Sequence, residues 1–150
     1  MASASNRTSP GRILIVDDNS LGLLARRSVL EELGHHVSTC GAGQEALDLC
    51  GKQRFDIIIT DYKMPKMNGI ELIGKLRKLD SNLSAILISG FVDALGLNEE
   101  NTGADIVLQK SANEVSHLIR SVNRLMRKLP PKKKPAVSQS TPKIDKRKSV

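Results

Sequence analysis

Short apolar runs alternate with amphipathic segments along most of the chain. Five of these runs predict β-strands, because each is brief, contains β-branched residues and is bounded by turn-forming residues. The predicted strands are Arg12–Val16, His36–Cys40, Phe55–Thr60, Ser84–Ser89 and Asp105–Gln109. The unbroken apolar run Ile57–Ile59 is typical of a strand that is covered on both faces, as in a parallel sheet.

Between the strands, apolar residues recur at the three- and four-residue spacing of amphipathic helices. Five helices are predicted: one that ends near Gly34 with Asn19 or Ser20 as its N-cap, then Gln44–Gln53, Ile70–Leu79, a weaker one over Phe91–Asn101, and Asn113–Leu129. In the first helix the predicted apolar stripe is Leu21, Leu24, Ala25, Val29, Leu30 and Leu33. In the last helix it is Val115, Leu118, Ile119, Val122, Leu125 and Met126.

Strands that alternate with helices through short connections predict an α/β fold. The right-handed crossover of such units gives a doubly wound, five-stranded parallel sheet with helices on both faces. Residues 11–129 form this predicted domain, residues 1–10 a flexible N-terminus, and residues 130–150 a disordered tail that begins with a Pro- and Lys-rich segment.

The net charge of +7 is concentrated in the tail. Residues 127–150 contain nine Lys or Arg and one acid, so the predicted domain is close to neutral. Three roles remain open for the tail: a solvated spacer, an electrostatic binder of nucleic acid or an anionic membrane, or a tether to an acidic protein surface.

Composition and hydropathy exclude several classes of function. Aromatic residues make up only 2% of the chain, which argues against a base-stacking nucleic-acid surface and against sequence-specific DNA binding. No apolar run has the length of a signal-peptide core or a membrane span, so a cytoplasmic protein is expected. Cys40 and Cys50 are expected to be small buried apolar residues, and His35 and His36 are expected in a surface turn.

Charged and polar residues stand where the predicted strands end. Asp17 and Asp18 follow the first strand, Asp61 the third, Ser89 ends the fourth, and Lys110 follows the fifth. In a parallel sheet these ends share one edge, where ligands bind. Three neighbouring carboxylates repel each other unless a cation compensates them, and Mg²⁺ prefers such oxygen ligands. This pattern suits phosphoryl transfer to a carboxylate nucleophile.

On its own, each of these features has an ordinary explanation. Asp17-Asp18 could be a turn and a helix N-cap, and Lys110 could be a solvated charge. Together and in this order, Asp17-Asp18, Asp61 with Met64-Pro65 and Gly69 after it, Ser89 and Lys110 resemble the receiver domain of two-component response regulators. The resemblance covers roughly residues 11–128 and is strongest to single-domain regulators of the chemotaxis type.

The resemblance implies a flavodoxin-like fold with strand order 2-1-3-4-5, and a role for each residue of the set. It implies that Asp61 accepts a phosphoryl group from a histidine kinase or a phosphotransfer protein. Asp17, Asp18 and Asp61 would bind Mg²⁺ together with the backbone carbonyl of Lys63. Ser89 would hydrogen-bond the phosphoryl oxygens, and Lys110 would pair with them.

It further implies a stand-alone signalling protein rather than an enzyme, one that assists its own phosphorylation and dephosphorylation. Its output would be contact with a downstream protein target that the sequence does not identify, and the resemblance also allows a homodimer. Two positions depart from the family pattern: Ser111 stands where Pro is usual, and Val107 where an aromatic residue is common. Lys63 and Gly90 border the acceptor in the resemblance, where they would tune the lifetime of the phosphoryl group.

Two other functions remain open. A small hydrolase with an Asp nucleophile would share the aspartyl phosphate, but such enzymes usually carry Asp-x-Asp, and Asp61-Tyr62-Lys63 lacks the second acid. A degenerate receiver would instead serve as a binding module or phosphate sink, with its basic tail contacting nucleic acid or an acidic partner.

Overall fold

Strands and helices alternate along residues 10–129, the part of the chain that the structure, a computed structural model, describes. The strands are β1 (Arg12–Val16), β2 (His36–Cys40), β3 (Ile57–Asp61), β4 (Ser84–Ser89) and β5 (Ile106–Gln109). The helices are α1 (Ser20–Glu32), α2 (Gly43–Lys52), α3 (Gly69–Leu79), α4 (Val92–Leu95), α5 (Glu99–Thr102) and α6 (Glu114–Lys128). Apart from Pro10, the predicted flexible N-terminus (1–10) and basic tail (130–150) lie outside the described residues.

The five strands form one parallel sheet in the order β2-β1-β3-β4-β5, which confirms the predicted fold. Strand β3 lies at the centre, and its last residue, Asp61, pairs in register with Ile88 of β4. The predicted third strand, Phe55–Thr60, begins two residues before β3 does and ends one residue before it does, because Asp61 itself continues the strand. Because Asp61 ends the central strand, its side chain lies at the middle of the sheet edge.

Alternate residues of each inner strand point to opposite faces of the sheet, and both faces are covered. Leu14 and Ile58 belong to a core closed by α2 and α3, whereas Ile13 and Ile57 belong to a second core closed by α1 and α6. Because the middle positions of the inner strands are buried on both faces, those positions are apolar without interruption. The short aliphatic runs in the sequence therefore encode the two-sided sheet directly.

The predicted fourth helix, Phe91–Asn101, is wrong: two short helices, α4 and α5, take its place, so the described chain has six helices instead of five. Gly96 ends α4 in the left-handed conformation, with φ 64°. Asn98 then begins α5 with a capping box, in which its side chain accepts a hydrogen bond from Asn101 N. A left-handed residue followed by an N-cap terminates one helix and starts another.

The predicted apolar stripe of α1 is also wrong in part. Leu21 and Leu24 are 76% and 61% exposed, whereas Arg26 and Leu30 are the buried residues of this helix. The face of α1 that packs on the sheet therefore carries a charged residue, Arg26, where the apolar spacing predicted leucines. On α6 the predicted stripe packs as expected, except that Val115 is exposed.

His35 is buried, which contradicts the expected surface turn; its neighbour His36 is exposed. Gly34, with φ 97°, ends α1 in a Schellman motif, in which Gly34 N and His35 N donate to carbonyls of the last helical turn. This turn directs His35 back to the sheet, where its Nδ1 accepts a hydrogen bond from Gly11 N at 3.0 Å. Burial lowers the pKa of His35 below its ordinary value of 6.5.

Cys40 and Cys50 are free thiols that are only partly buried, and both pack against the α2–α3 core. Burial raises the pKa of the Cys40 thiol to about 11, so this group stays protonated near neutral pH. Within residues 10–129, no helix is both long enough and apolar enough to cross a bilayer.

Candidate functional site

The carboxyl ends of the strands bring the predicted site residues around one open cavity. Because all five strands run in the same direction, the residues that end β3 and β4 and those that follow β1 and β5 meet at one edge. The cavity is lined by all six predicted residues, Asp17, Asp18, Asp61, Lys63, Ser89 and Lys110, together with Asn19, Gly90 and Phe91.

Three carboxylates form the floor of this cavity. Asp17, Asp18 and Asp61 each offer an oxygen atom, and these atoms lie within 4.8 Å of one another. Asp17 and Asp61 are buried, while Asp18 is exposed. Asp17 Oδ1 accepts a hydrogen bond from Asn19 N at 2.9 Å, which fixes the carboxylate beside the start of α1.

Asp61 is the most electrostatically constrained of the three acids. Lys110 Nζ lies 2.7 Å from Asp61 Oδ1 in a charge contact, yet this buried oxygen has no aligned hydrogen-bond partner within residues 10–129. Burial raises the pKa of Asp61 above its usual value of 3.8; the ammonium of Lys110 opposes the rise, and the negative charge of Asp17 adds to it.

These residues fit a magnesium ion. Mg²⁺ takes oxygen ligands and is commonly held by one or two carboxylates while it keeps several waters. Three converging carboxylate oxygens supply such ligands, and a divalent cation relieves the repulsion among three neighbouring acids. Lys63, whose backbone carbonyl is the fourth predicted ligand, lines the same cavity.

Ser89 and Lys110 are held at the far side of the cavity by the ends of β4 and β5. Ser89 is buried, and its Oγ accepts a hydrogen bond from Phe91 N at 2.9 Å. Lys110 N donates to Ser89 O at 2.9 Å, which couples the two positions through the backbone. Phe91 also packs under Lys63, whose Nζ lies 5.7 Å from the centre of the ring.

Gly69 allows the loop after β3 to close tightly against the acceptor. Gly69 N donates a hydrogen bond to Tyr62 O at 2.8 Å. A Cβ atom on Gly69 would lie 2.4 Å from the carbonyl oxygen of Asp61 and 2.6 Å from Leu87 Cδ1. Only a residue without a side chain fits so close to a neighbouring backbone. In the same loop Lys66 adopts a left-handed φ of 72°, which is uncommon for a residue other than glycine.

Two residues that sequence reasoning missed also organise this site. Arg26 Nη1 donates to Asp17 Oδ2 at 2.7 Å, and Arg26 Nε donates to Glu114 Oε2 at 2.7 Å. Gln109 fastens the loop after β4: its Oε1 accepts from Val92 N, and its Nε2 donates to Gly90 O. For Arg26 the sequence offered one signal: it stands three residues after Leu23 and four before Leu30, which places it on the same face of the helix as these two apolar residues.

The positions that depart from the usual pattern lie beside the site without entering it. Val107 is half-buried, and its backbone N donates to Glu99 Oε2 at 3.1 Å, which ties β5 to α5. Ser111 Oγ accepts a hydrogen bond from Asn113 N at 3.2 Å at the start of α6. The described chain contains no cis peptide bond.

The family model of the response regulator receiver domain matches residues 13–123. Among curated proteins, a response regulator receiver protein of Anaeromyxobacter sp. (strain Fw109-5) is 43% identical over 86 residues, which are 56% of this chain and 36% of that protein. Sporulation initiation phosphotransferase F of Bacillus subtilis is 31% identical over 80 residues, 53% of this chain and 64% of that protein. The matches thus span less than two thirds of either relative.

Solved structures of receivers are similar over nearly their full length. The response regulator TrrA of Thermotoga maritima, solved in complex with Mg²⁺-BeF, is 30% identical with a TM-score of 0.69, and the alignment covers 76% of this chain and 97% of that one. A CheY-like receiver domain protein of Methanospirillum hungatei is 30% identical with a TM-score of 0.70, covering 79% and 96%.

Proposed function

Because the chain belongs to the response regulator receiver domain family of two-component systems, we propose that it takes up a phosphoryl group on Asp61 in a Mg²⁺-dependent reaction and signals by changing its protein contacts. The observation that carries this proposal is the position of Asp61 on the central strand. It lies between two further carboxylates on one side and Lys110 and Ser89 on the other.

Asp61 is the proposed nucleophile. A carboxylate oxygen of Asp61 attacks the phosphorus atom of a phosphohistidine on a histidine kinase or phosphotransfer protein. The new P–O bond forms as the P–N bond breaks, and the electron pair of the P–N bond remains on the imidazole, which leaves. Apart from this nucleophile, the protein supplies position and charge, as is usual for phosphoryl transfer. In this sense the chain is a phosphoacceptor that assists its own phosphorylation and dephosphorylation, and is not an enzyme acting on a separate substrate.

The residues that would hold Mg²⁺ are Asp17, Asp18 and Asp61, with the backbone carbonyl of Lys63. When bound, the ion supplies positive charge that offsets the charge on the transferring phosphoryl oxygens. The N–H of Asn19 holds the Asp17 carboxylate at the sheet edge, beside the other two acids. The similar response regulator TrrA, which was solved in complex with Mg²⁺-BeF, supports the choice of this ion.

Lys110 and Ser89 are the proposed partners of the bound phosphoryl group. The ammonium of Lys110 contacts the acceptor carboxylate, so it is placed to pair with an anionic oxygen once Asp61 is esterified. The Ser89 hydroxyl accepts a hydrogen bond from Phe91 N, and its proton remains available for donation to a phosphoryl oxygen. Movement of Ser89 toward that oxygen would release Phe91 N and shift the start of α4. This would pass the signal to the surface that contacts the downstream protein.

The proposal is tested by intact-mass spectrometry after incubation with Mg²⁺ and phosphoramidate. We expect one added phosphoryl group on the wild type and on the control variant Asp48→Asn. Asp48 is an exposed acid on α2, so this variant makes the same chemical change away from the site. We expect none on Asp61→Asn, and none on the wild type when a chelator removes Mg²⁺. Stoichiometric, acid-stable and base-labile labelling of Asp61→Asn would refute the assignment of the acceptor.

A further inference from the structure

Arg26 is a buried cation that the receiver pattern does not account for. It lies on the inward face of α1, where its side chain is 6% exposed, at a position where an apolar residue would pack against the sheet. Its two hydrogen bonds, each 2.7 Å long, go to carboxylates that are distant in sequence: Asp17 in the cavity and Glu114 in the first turn of α6. Arg26 therefore joins one acid of the cavity to a helix on the outer layer.

The local structure is arranged around this contact. A Cβ atom on Gly22 would lie 2.7 Å from Asp17 Oδ2 and 3.5 Å from Arg26 Nη1, so glycine leaves the room in which the two groups meet. Glycine inside a helix is less favourable than alanine, so this opening comes at a cost to the stability of α1. Asp17 Oδ1 is held by Asn19 N, so both oxygens of this carboxylate are engaged by described groups.

A purely structural ion pair is the ordinary explanation, and it accounts poorly for this arrangement. A buried ion pair is weak evidence for stabilisation, because its desolvation offsets much of its attraction. Burial works to lower the pKa of Arg26, but the carboxylates of Glu114 and Asp17 outweigh it and raise the pKa, so the group remains charged. Arg26 thus acts directly on Asp17, one of the three carboxylates that converge in the cavity.

From these contacts we infer that Arg26 is a built-in counter-cation of the carboxylate cluster, and that it weakens Mg²⁺ binding by sharing the Asp17 carboxylate. The inference rests on the proposed metal site at Asp17, Asp18 and Asp61. When the ion is absent, the positive charge of Arg26 offsets the negative charge of the cluster, and the same charge opposes entry of the ion. The protein would therefore bind Mg²⁺ at higher concentrations of the ion than a site without this arginine. Arg26 is a positioning residue here, since it contacts a ligand of the ion and not the reacting atoms.

Glu114 determines how much of this charge reaches the cavity. While Glu114 is ionised it neutralises part of the guanidinium charge on the side away from Asp17. Removal of that negative charge leaves more of the Arg26 charge directed at Asp17 and Asp61. The two partners of Arg26 therefore give the inference a test of sign: loss of the arginine charge strengthens Mg²⁺ binding, whereas loss of the Glu114 charge weakens it.

The experiment is a calorimetric titration of the full chain with Mg²⁺ alone, without a phosphodonor, on Arg26→Gln and Glu114→Gln. The matched controls are Arg27→Gln and Glu31→Gln, which make the same charge changes in an ion pair on α1 whose side chains are each 45% exposed. We expect Arg26→Gln to lower the dissociation constant about tenfold, the order of effect of a nearby unit charge on a divalent ion through a high dielectric. We expect Glu114→Gln to raise it several-fold on the same grounds, and the controls to match the wild type.

The outcomes separate this inference from the proposed function. A wild type that binds Mg²⁺, with an unchanged or raised dissociation constant in Arg26→Gln relative to Arg27→Gln, would overturn the inference alone. Shifts of the same sign in Arg26→Gln and Glu114→Gln would also overturn it, because a merely structural role predicts them. Absence of Mg²⁺ binding by the wild type would overturn both. If Arg26→Gln does not fold, Glu114→Gln decides by itself, since its dissociation constant must rise above that of Glu31→Gln.

Discussion

Substitution of Gly69 by alanine tests whether the loop after β3 is as closely packed on the acceptor as the structure shows. The new Cβ would lie 2.4 Å from the Asp61 carbonyl oxygen and 2.6 Å from Leu87 Cδ1. Neither neighbour is the free end of a flexible side chain, since one is strand backbone and the other is fully buried. Forced overpacking typically costs about 1–3 kcal/mol, and helical alanine regains about 0.5–1 kcal/mol, so we expect a net loss of about 1 kcal/mol.

Gly74 provides a matched control in the same helix. A Cβ on Gly74 would meet no atom within 4 Å, and the residue is exposed. Gly74→Ala should therefore stabilise the protein by about 0.5–1 kcal/mol, through its helix propensity alone. One chemical change at two positions of α3 is thus expected to have opposite signs, with a difference of about 2 kcal/mol.

Urea unfolding, followed by circular dichroism, measures both changes at a common denaturant slope. A slope that is the same in both variants shows that the difference lies in stability rather than in the compactness of either state. We also expect Gly69→Ala to take up the phosphoryl group more slowly, because relief of the clash displaces the backbone of Asp61. A Gly69→Ala protein as stable as Gly74→Ala would refute the close packing on which this reasoning depends.

Three further predictions address the cap, the buried histidine and the lysine. Asn68→Ala removes the side chain that caps α3 and should cost about 1 kcal/mol in urea unfolding; an unchanged midpoint would contradict the cap. Because the folded pKa of His35 is lowered, its neutral form contributes stability that is complete above pH 6.5 and is lost as the pH falls toward the folded pKa. His35→Gln should remove this part of the acid destabilisation, while the exposed His117→Gln should keep it; equal pH profiles for the two variants would contradict the burial. Lys110→Ala should still be phosphorylated but should lose the phosphorylation-dependent change in tyrosine fluorescence, and an unaltered change would count against its coupling role.

The sheet was predictable because burial on both faces makes the middle positions of an inner strand apolar, so Ile57–Ile59 needs no periodicity to be recognised. The inward face of α1 was not predictable from spacing. Leu21 and Leu24 are apolar but exposed, and Arg26 is buried because its charge is met by two carboxylates that lie 9 and 88 residues away in the sequence. Hydrophobic periodicity carries no information about such long-range pairing.

The candidate site was predictable for a similar topological reason. Strand ends in a parallel sheet share one edge, so Asp17, Asp61 and Lys110 could be brought together from their sequence positions alone. Gln109 could not be identified in this way, because its role depends on side-chain bonds to the loop after β4. The division of the predicted fourth helix likewise depends on the left-handed conformation of Gly96, because glycine adopts either this or the helical conformation and its presence in the sequence does not say which.

The most direct test of the central claim is chemical localisation of the phosphoryl group. After phosphorylation by phosphoramidate and Mg²⁺, borohydride reduces an aspartyl phosphate to homoserine, which tandem mass spectrometry locates in a peptide. We predict homoserine at position 61 alone, and its absence when Mg²⁺ is chelated. Homoserine at Asp17 or Asp18 with Asp61 unmodified would contradict the account.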